Sequence, residues 1–252
     1  MERSLISTLA HVDHPIAAPL SDSSVRTLLD RALPRGDERV LDLGCAEAAW
    51  LVRALAGRPG LRADGVDLSE SALAKGRAAA DAAALGDRLT LHIGDATVFE
   101  VPQPYDLVLC VGATHAFGGL LPALEAARGH LAPGGSVLVG DGFWEREPGP
   151  GTLAAGFEAD EYTDLATTVE RVSAAGWTPV YGHVSTLEEW DAYEWSWTGS
   201  LSRWALDHPE HPDADEALGI ARTHGDEWLR GYRGTLGFVT LQLRATAELV
   251  PL

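Results

Sequence analysis

Acidic side chains follow several short apolar segments of the chain, where a carboxylate could bind a polar ligand. Asp42, Asp67 and Asp95 each end or follow such a segment, and Gly44 lies two residues after the first of them. A β-strand that turns directly into a helix leaves backbone N–H groups free at the helix start. Gly44 has no Cβ, so a ligand can approach the backbone closely there. An acid a little over 20 residues later can bind both hydroxyls of a ribose, and Asp67 has this spacing.

The pattern of apolar residues predicts seven strands that alternate with helices. The predicted strands cover residues 39–43, 62–67, 88–93, 105–111, 136–141, 177–185 and 235–245. The predicted helices cover residues 4–14, 22–33, 46–57, 69–84, 119–131, 163–175, 187–206 and 213–231, and residues 145–156 are expected to be a loop. This alternation indicates an α/β fold with a mostly parallel sheet and helices on both faces.

The same pattern predicts one domain over residues 1–252, with an N-terminal helical cap over residues 1–36. A helical lid over residues 187–233 is inserted between strands six and seven. Open α/β sheets bind their ligands beyond the carboxyl ends of the strands. If the last strand is antiparallel, the connectivity places the lid above that ligand site.

The chain resembles the class I S-adenosylmethionine (SAM)-dependent methyltransferases, of the bacterial small-molecule type. The resemblance covers about residues 38–141 and the last strand, and it depends on five segments in order. These are Asp42-Leu43-Gly44-Cys45-Ala46, Gly65-Val66-Asp67-Leu68-Ser69, Gly94-Asp95-Ala96, Cys110-Val111-Gly112 and Leu131-Ala132-Pro133-Gly134-Gly135.

One motif departs from the family pattern. Two further glycines usually follow Gly44, and Ala46 and Ala48 replace them here. Because alanine is compatible with a helix, we expect these two positions to be helical. The departure also argues against NAD, whose fingerprint requires a second glycine at position 46.

The resemblance implies a seven-stranded Rossmann-like sheet, SAM as the cofactor and S-adenosylhomocysteine (SAH) as the product. In the family, the acid after strand two binds ribose, the acid after strand three binds the adenine amino group, and the backbone after strand four passes the methionine part. The cofactor-binding residues are therefore expected to be Asp42, Gly44, Cys45, Ala46, Asp67, Leu68, Asp95, Ala96, Cys110, Val111 and Gly112.

His115 is the candidate general base, since it follows strand four and a neutral histidine accepts protons near pH 7. A helix-capping or packing role is the alternative. Candidates for substrate binding are His14, Asp141, Trp144 and Trp195. No metal site is expected, because Cys110 stands where metal-dependent relatives would need an acid.

Composition limits the partners of this protein. The formal net charge is -18, with 19 Lys and Arg against 37 Asp and Glu. Such a surface repels phosphate backbones, so neither a nucleic acid nor an anionic membrane is an expected partner. We find no signal sequence or membrane segment and expect a cytoplasmic protein, in which Cys45 and Cys110 remain thiols.

These patterns predict an enzyme that moves the SAM methyl group to an O, N or C atom of a small-molecule metabolite by in-line displacement. Two alternatives stay open. One is a SAM-using enzyme that cyclises the SAM aminobutyryl arm or catalyses a rearrangement. The other is a SAM-binding protein without catalytic activity. The sequence also leaves a homodimer open.

Overall fold

The computed structural model describes residues 1–100 and 103–246, with seven strands in one sheet. The strands are β1 (Arg39–Leu43), β2 (Arg62–Asp67), β3 (Leu89–Ile93), β4 (Tyr105–Val111), β5 (Leu131–Trp144), β6 (Trp177–Val184) and β7 (Leu236–Ala245). Their order across the sheet is β3-β2-β1-β4-β5-β7-β6.

Nine α-helices lie in the described residues. They are α1 (Arg3–Ala10), α2 (Asp22–Ala32), α3 (Ala49–Leu55), α4 (Glu70–Ala82), α5 (Leu120–Arg128), α6 (Pro150–Ala154), α7 (Leu165–Ala174), α8 (Leu187–Asp207) and α9 (Ala214–Glu227). Two 3₁₀ turns, Gly86–Arg88 and Thr114–Phe117, and a π-helical turn, Trp228–Tyr232, complete the helical structure of this part. None of these helices is long and apolar enough to cross a membrane.

The first five strands pair in parallel, and the last two, β6 and β7, run in opposite directions to each other. The parallel pairs are β1 with β2, β1 with β4, β2 with β3 and β4 with β5. Ser185 N–H donates to the Phe238 carbonyl, and Thr246 N–H donates to the Gly176 carbonyl. Since residue number rises along one strand as it falls along the other, β6 and β7 are antiparallel. The predicted mostly parallel, Rossmann-like sheet is confirmed.

The chain forms two compact units. The sheet unit contains Asp22–Asp141, Ala166–His183 and the chain from Val239 onward. The helical unit contains Met1–Ser21, Gly142–Leu165 and Val184–Phe238. The division of the chain into one domain with a cap and a lid stays a prediction.

The core of the sheet unit is formed by continuous apolar strands, as expected for a parallel sheet covered on both faces. Residues Leu107–Cys110 of β4 are fully buried. In β2, Gly65 faces the helical layer, where an added Cβ would lie 2.8 Å from Cys45 Sγ and 2.9 Å from Leu51 Cδ1. A side chain at this position would therefore push the loop after β1 away from the sheet.

In the helical unit, α8 begins with a capping box. Thr186 Oγ1 accepts the Glu189 N–H at 3.2 Å, and Glu189 Oε2 accepts the Thr186 N–H at 3.0 Å. Glu189 Oε1 also accepts the Ser21 N–H at 2.9 Å. This one buried carboxylate therefore fixes both the start of α8 and the end of the N-terminal segment.

The expected elements differ from the observed ones mainly at their ends. The helix after β1 begins at Ala49 rather than Ala46, because the three residues before it form a tight turn. Residues 145–156 were expected to be a loop, but they contain the short helix α6, which begins at Pro150. Proline suits the first position of a helix, because the N–H that it lacks would have no partner within the helix there. Strand β5 is longer than expected, and α1 ends at Ala10.

Candidate cofactor site and active site

The loop after β1 folds onto the end of β2. The N–H groups of Gly44 and Cys45 both donate to the Val66 carbonyl at 3.0 Å. The Ala46 N–H donates to Asp67 Oδ2 at 2.8 Å. Three successive backbone donors are therefore anchored on the last residues of β2, which fixes the shape of the loop.

Asp67 connects this loop to the next helix. Its second oxygen, Oδ1, accepts the Ser69 N–H at 2.8 Å, and Ser69 Oγ accepts the Ala72 N–H at the start of α4. Each carboxylate oxygen has two lone pairs, so Asp67 can accept further hydrogen bonds from a ligand. This capacity fits the predicted role of Asp67 in ribose binding.

The two alanines that replace the motif glycines have a left-handed backbone. The φ angle is 46° at Ala46 and 57° at Ala48. The expectation that both positions are helical is therefore wrong. The loop keeps the left-handed conformation that glycine usually adopts in this motif, although alanine occupies both positions. The hydrogen bonds to Val66 and Asp67 hold the loop in this conformation. Residues with a Cβ are strained in this region.

Asp42 is a buried acid beneath this loop, with 3% of its side chain exposed. Burial, together with the nearby charge of Asp67, raises the pKa of Asp42 to about 8. Burial also raises the pKa of the Cys110 thiol to about 12, with further contributions from Asp42 and Asp141. Cys45 and Cys110 are both buried free thiols, as expected.

The loop after β4 lies against the loop after β1. An added Cβ on Gly44, whose φ is +82°, would lie only 2.6 Å from Ala113 Cβ. The Gly112 N–H donates to the Gly140 carbonyl at 3.1 Å, and Thr114 Oγ1 donates to Asp141 Oδ1 at 3.0 Å. Neither Ala113 nor the hydrogen bond of Thr114 to Asp141 was predicted from the sequence, although two small residues after a strand-end glycine are a weak signal of such close packing.

His115 lies on the turn Thr114–Phe117, next to this hydrogen-bonded pair. Its side chain is exposed, and within the described residues it has no hydrogen-bond partner. Gly118, with φ +87°, closes the turn by donating its N–H to the His115 carbonyl. The imidazole is therefore accessible from solvent on a backbone fixed by Thr114 and Gly118.

The end of β3 adds a further acid to the same edge of the sheet. The Gly94 N–H donates to the Asp67 carbonyl at 3.0 Å, which places Asp95 and Ala96 directly after the pairing. Asp95 Oδ1 accepts the Thr97 N–H at 2.8 Å and the Thr97 hydroxyl at 2.7 Å. These bonds lower the pKa of Asp95, so it is a carboxylate at neutral pH.

Exposed apolar side chains surround these acids. Leu68 is 73% exposed, Ile93 is 55% exposed and Val98 is 74% exposed. Large aliphatic side chains that are exposed near strand-end acids offer a surface for the flat faces of an aromatic ring. Only Leu68 was identified from the sequence. Ile93 and Val98 were not predicted as cofactor contacts.

An ion pair beside the loop after β1 was not predicted from the sequence. Lys75 of α4 lies 2.7 Å from Glu47 Oε1, and both side chains are partly exposed. Glu47 lies between the two left-handed alanines. The pair connects the loop to α4, and the fact that Lys75 is the only lysine in the chain was an available signal.

Three of the predicted substrate-binding residues belong to the helical unit, where each has its own surroundings. Trp144 is buried; its indole N–H donates to the Ala159 carbonyl, and it packs edge-on against Phe157 and Tyr162. Trp195 is exposed and packs on Trp228, and His14 Nδ1 donates to the Ile16 carbonyl. Their assignment to substrate binding stays a prediction, as does that of Asp141.

The fold places three acids at one edge of an α/β sheet, and comparison with known proteins identifies the class of the protein. Residues 41–137 match the family model of a methyltransferase domain. The chain is 27% identical to the protein YjhP of Escherichia coli over 84% of this chain and 86% of that protein.

Two further likenesses agree with this match. The structure of a SAM-dependent methyltransferase from Geobacter sulfurreducens, in complex with SAH, aligns at a TM-score of 0.86 and 26% identity, covering 96% of this chain and 98% of that one. A trans-aconitate 2-methyltransferase of Streptomyces avermitilis is 37% identical over 51% of this chain and 46% of that protein. The protein is a class I SAM-dependent methyltransferase. The predicted family, fold and cofactor class are confirmed.

The left-handed backbone at Ala46 predicts that glycine stabilises this position. We expect Ala46→Gly to raise the free energy of unfolding by about 0.5–1 kcal/mol, because it removes the steric cost of a Cβ at positive φ. Chemical denaturation measures the change. The matched control is Ala78→Gly, on the exposed face of α4, which should lower stability by about 1 kcal/mol. A loss of stability in both variants would contradict the strain at Ala46.

The raised pKa of Asp42 predicts a specific pH dependence of stability. Between about pH 4 and pH 8, folded Asp42 keeps a proton that the unfolded chain releases, so the free energy of unfolding falls as pH rises. Asp42→Asn, which resembles the protonated acid, lacks this contribution. We expect the stability of the variant relative to the parent to increase by roughly 3–5 kcal/mol over this range. Denaturation curves of both proteins at several pH values measure it, and a constant difference would show that Asp42 titrates normally.

Proposed function

We propose that this methyltransferase transfers the methyl group of SAM to an oxygen, nitrogen or carbon atom of a small-molecule metabolite and releases SAH. The observation that carries the proposal is the arrangement around Asp67. Its carboxylate fixes the loop after β1 through Ala46 and the start of α4 through Ser69, and it keeps lone pairs for a ligand.

The residue types at this edge of the sheet suit the groups of SAM. Asp67 can accept hydrogen bonds from ribose hydroxyls, and the apolar side chains of Leu68, Ile93 and Val98 suit the faces of an adenine ring. Asp95 offers a carboxylate oxygen to an exocyclic amine. At Gly44 the missing Cβ lets the loop after β1 pack directly against Ala113 of the loop after β4, which keeps both loops in place. Bound SAM supplies an activated methyl group on a sulfonium.

The protein's own residues position the acceptor and manage its proton. In-line displacement requires a fixed approach direction and exclusion of water more than it requires acid or base groups. Where the acceptor carries an acidic proton, His115 takes it at a ring nitrogen. The hydrogen bond between Thr114 and Asp141 holds the turn that carries His115. Loss of that bond would misplace the base without removing it.

Charge and similarity support a small-molecule acceptor. The net charge of -18 opposes binding to a nucleic acid, whose affinity depends on neutralised phosphates. The Streptomyces relative is named for methylating trans-aconitate. Its match spans only half of this chain, so it supports the class of acceptor and not its identity.

Ligand titration followed by product analysis tests the proposal. SAM and SAH, but not NAD, should raise the melting temperature, since a ligand at 100 times its Kd adds about 2.7 kcal/mol of stability. The protein is then incubated with methyl-labelled SAM and fractions of a bacterial metabolite extract. A labelled product together with SAH supports methyl transfer. Methylthioadenosine would instead indicate attack on the aminobutyryl arm, and binding without turnover in any fraction would favour a SAM-binding protein.

Removal of the Asp67 carboxylate should weaken SAM binding. We expect Asp67→Ala to raise the Kd for SAM about 10- to 100-fold, the size of one or two lost hydrogen bonds to a charged acceptor. Isothermal titration calorimetry measures it. The control is Asp81→Ala on the exposed face of α4, which removes the same charge from the surface and should leave the Kd unchanged. Equal affinity in both variants would remove Asp67 from the cofactor site.

Removal of the His115 imidazole should slow turnover without loss of SAM affinity. We expect His115→Ala to lower kcat about 100-fold or more for an acceptor with an acidic proton, because a positioned base contributes about 10²–10⁴. The Kd for SAM should stay within a factor of about two, since the side chain lies outside the predicted cofactor contacts.

Chemical rescue separates a base from a structural residue at this position. Added imidazole should restore part of the activity of His115→Ala, and the matched variant His208→Ala, an exposed histidine of the helical unit, should behave as the parent. A normal kcat in His115→Ala would assign the proton to another group or to solvent.

A further inference from the structure

The loop after β1 makes a tight turn whose middle residue is not fixed by its own backbone. Glu47 lies between the left-handed residues Ala46 and Ala48, and the Ala48 N–H closes the turn on the Cys45 carbonyl at 2.7 Å. Hydrogen bonds to the end of β2 fix only the residues before Glu47. Within the described part of the chain, the Glu47 N–H has no hydrogen-bond partner. The middle of the turn is therefore held by side-chain contacts and packing.

An ion pair is the first of these contacts. Lys75 Nζ lies 2.7 Å from Glu47 Oε1, and the two side chains are only 39% and 25% exposed. Partial burial strengthens the attraction, because less water and salt screen the two charges. Lys75 belongs to α4, so the pair joins the middle of the turn to that helix.

Close packing against the next residue of α4 is the second contact. A Cβ added to Gly76 would lie 2.9 Å from the Glu47 carbonyl oxygen and 3.0 Å from Leu91 Cδ1. Glycine destabilises the interior of a helix, so its presence in the middle of α4 needs a local cause. The cause is the approach of the Glu47 backbone, which leaves no room for a side chain.

These contacts form a closed circuit through the end of β2. The Asp67 carboxylate accepts the Ala46 N–H on one side and the Ser69 N–H on the other. Ser69 caps α4, and α4 returns to the turn through Lys75 and Gly76. The turn is thus held at its start by β2 and at its middle by α4. A strained backbone persists only where its surroundings hold it in this way.

We propose that Lys75 and Gly76 are positioning residues for cofactor binding, which hold Glu47 so that the turn after β1 keeps the shape in which SAM binds. The inference rests on the proposed cofactor site, in which neither residue is assigned a contact with SAM. Because alanine is strained at positive φ, a turn with Ala46 and Ala48 depends on outside contacts more than a turn with glycines.

The charge of the ligand separates positioning from a direct electrostatic effect. SAM carries a positive sulfonium, whereas the sulfur of SAH is neutral. Removal of the Lys75 charge would by itself favour SAM over SAH, because like charges repel. Loss of the shape of the turn weakens both ligands by the same factor. The ratio of the two Kd values therefore distinguishes the two roles.

Isothermal titration calorimetry of the full chain with SAM and with SAH tests the ion pair. We expect Lys75→Met, which keeps most of the side chain without its charge, to raise both Kd values about three- to tenfold. Lys75→Arg, which keeps the charge, should stay within about twofold of the parent. The double variant K75M/E47Q should bind like K75M alone, because both changes remove the same contact. The matched control is Arg77→Met, which removes an exposed charge from the same helix and should leave both Kd values unchanged.

Gly76→Ala tests the packing contact. Alanine is the better helix former, yet its Cβ would push Glu47 away, so both Kd values should rise about tenfold without loss of helix content by circular dichroism. If the parent binds SAM, unchanged Kd values in Lys75→Met would overturn the role of the ion pair, and unchanged values in Gly76→Ala would overturn that of the packing. A tighter Kd for SAM alone in Lys75→Met would also overturn positioning. Each of these results leaves the proposed function intact, whereas a parent that binds neither ligand would overturn the cofactor site and this inference together.

Discussion

The attachment of the loop after β1 to the last residues of β2 is the interaction on which the site depends. The Val66 carbonyl accepts two backbone N–H groups, and the Asp67 carboxylate accepts a third together with the first N–H before α4. One short segment of β2 thereby fixes the starts of two helices. Without it, the backbone donors at these helix starts would have to be satisfied by water, and the edge of the sheet would lose its shape.

This attachment explains two features that would otherwise count against stability. Ala46 and Ala48 keep a left-handed backbone that side chains with a Cβ avoid, and Asp42 is an acid in a nearly waterless environment. Both cost free energy that the packed sheet around them must offset. Strain and buried acids are concentrated at functional sites, and here they lie within a few residues of each other.

The sequence by itself determined the order of strands and helices, the acids at the strand ends and the methyltransferase family, because these depend on periodicity and on spacing along the chain. It also predicted Asp67 at the end of β2, since a parallel sheet brings strand ends to one edge. The left-handed alanines, the pairing of Thr114 with Asp141 and the buried packing of Trp144 were decided only by the tertiary structure. Each depends on a neighbour distant in sequence: a carboxylate that holds a strained loop, a partner on the next strand, or rings from another segment. Local propensity carries no information about such neighbours, so the two alanines were expected to be helical, and the packing of Trp144 at the end of β5 could not be predicted.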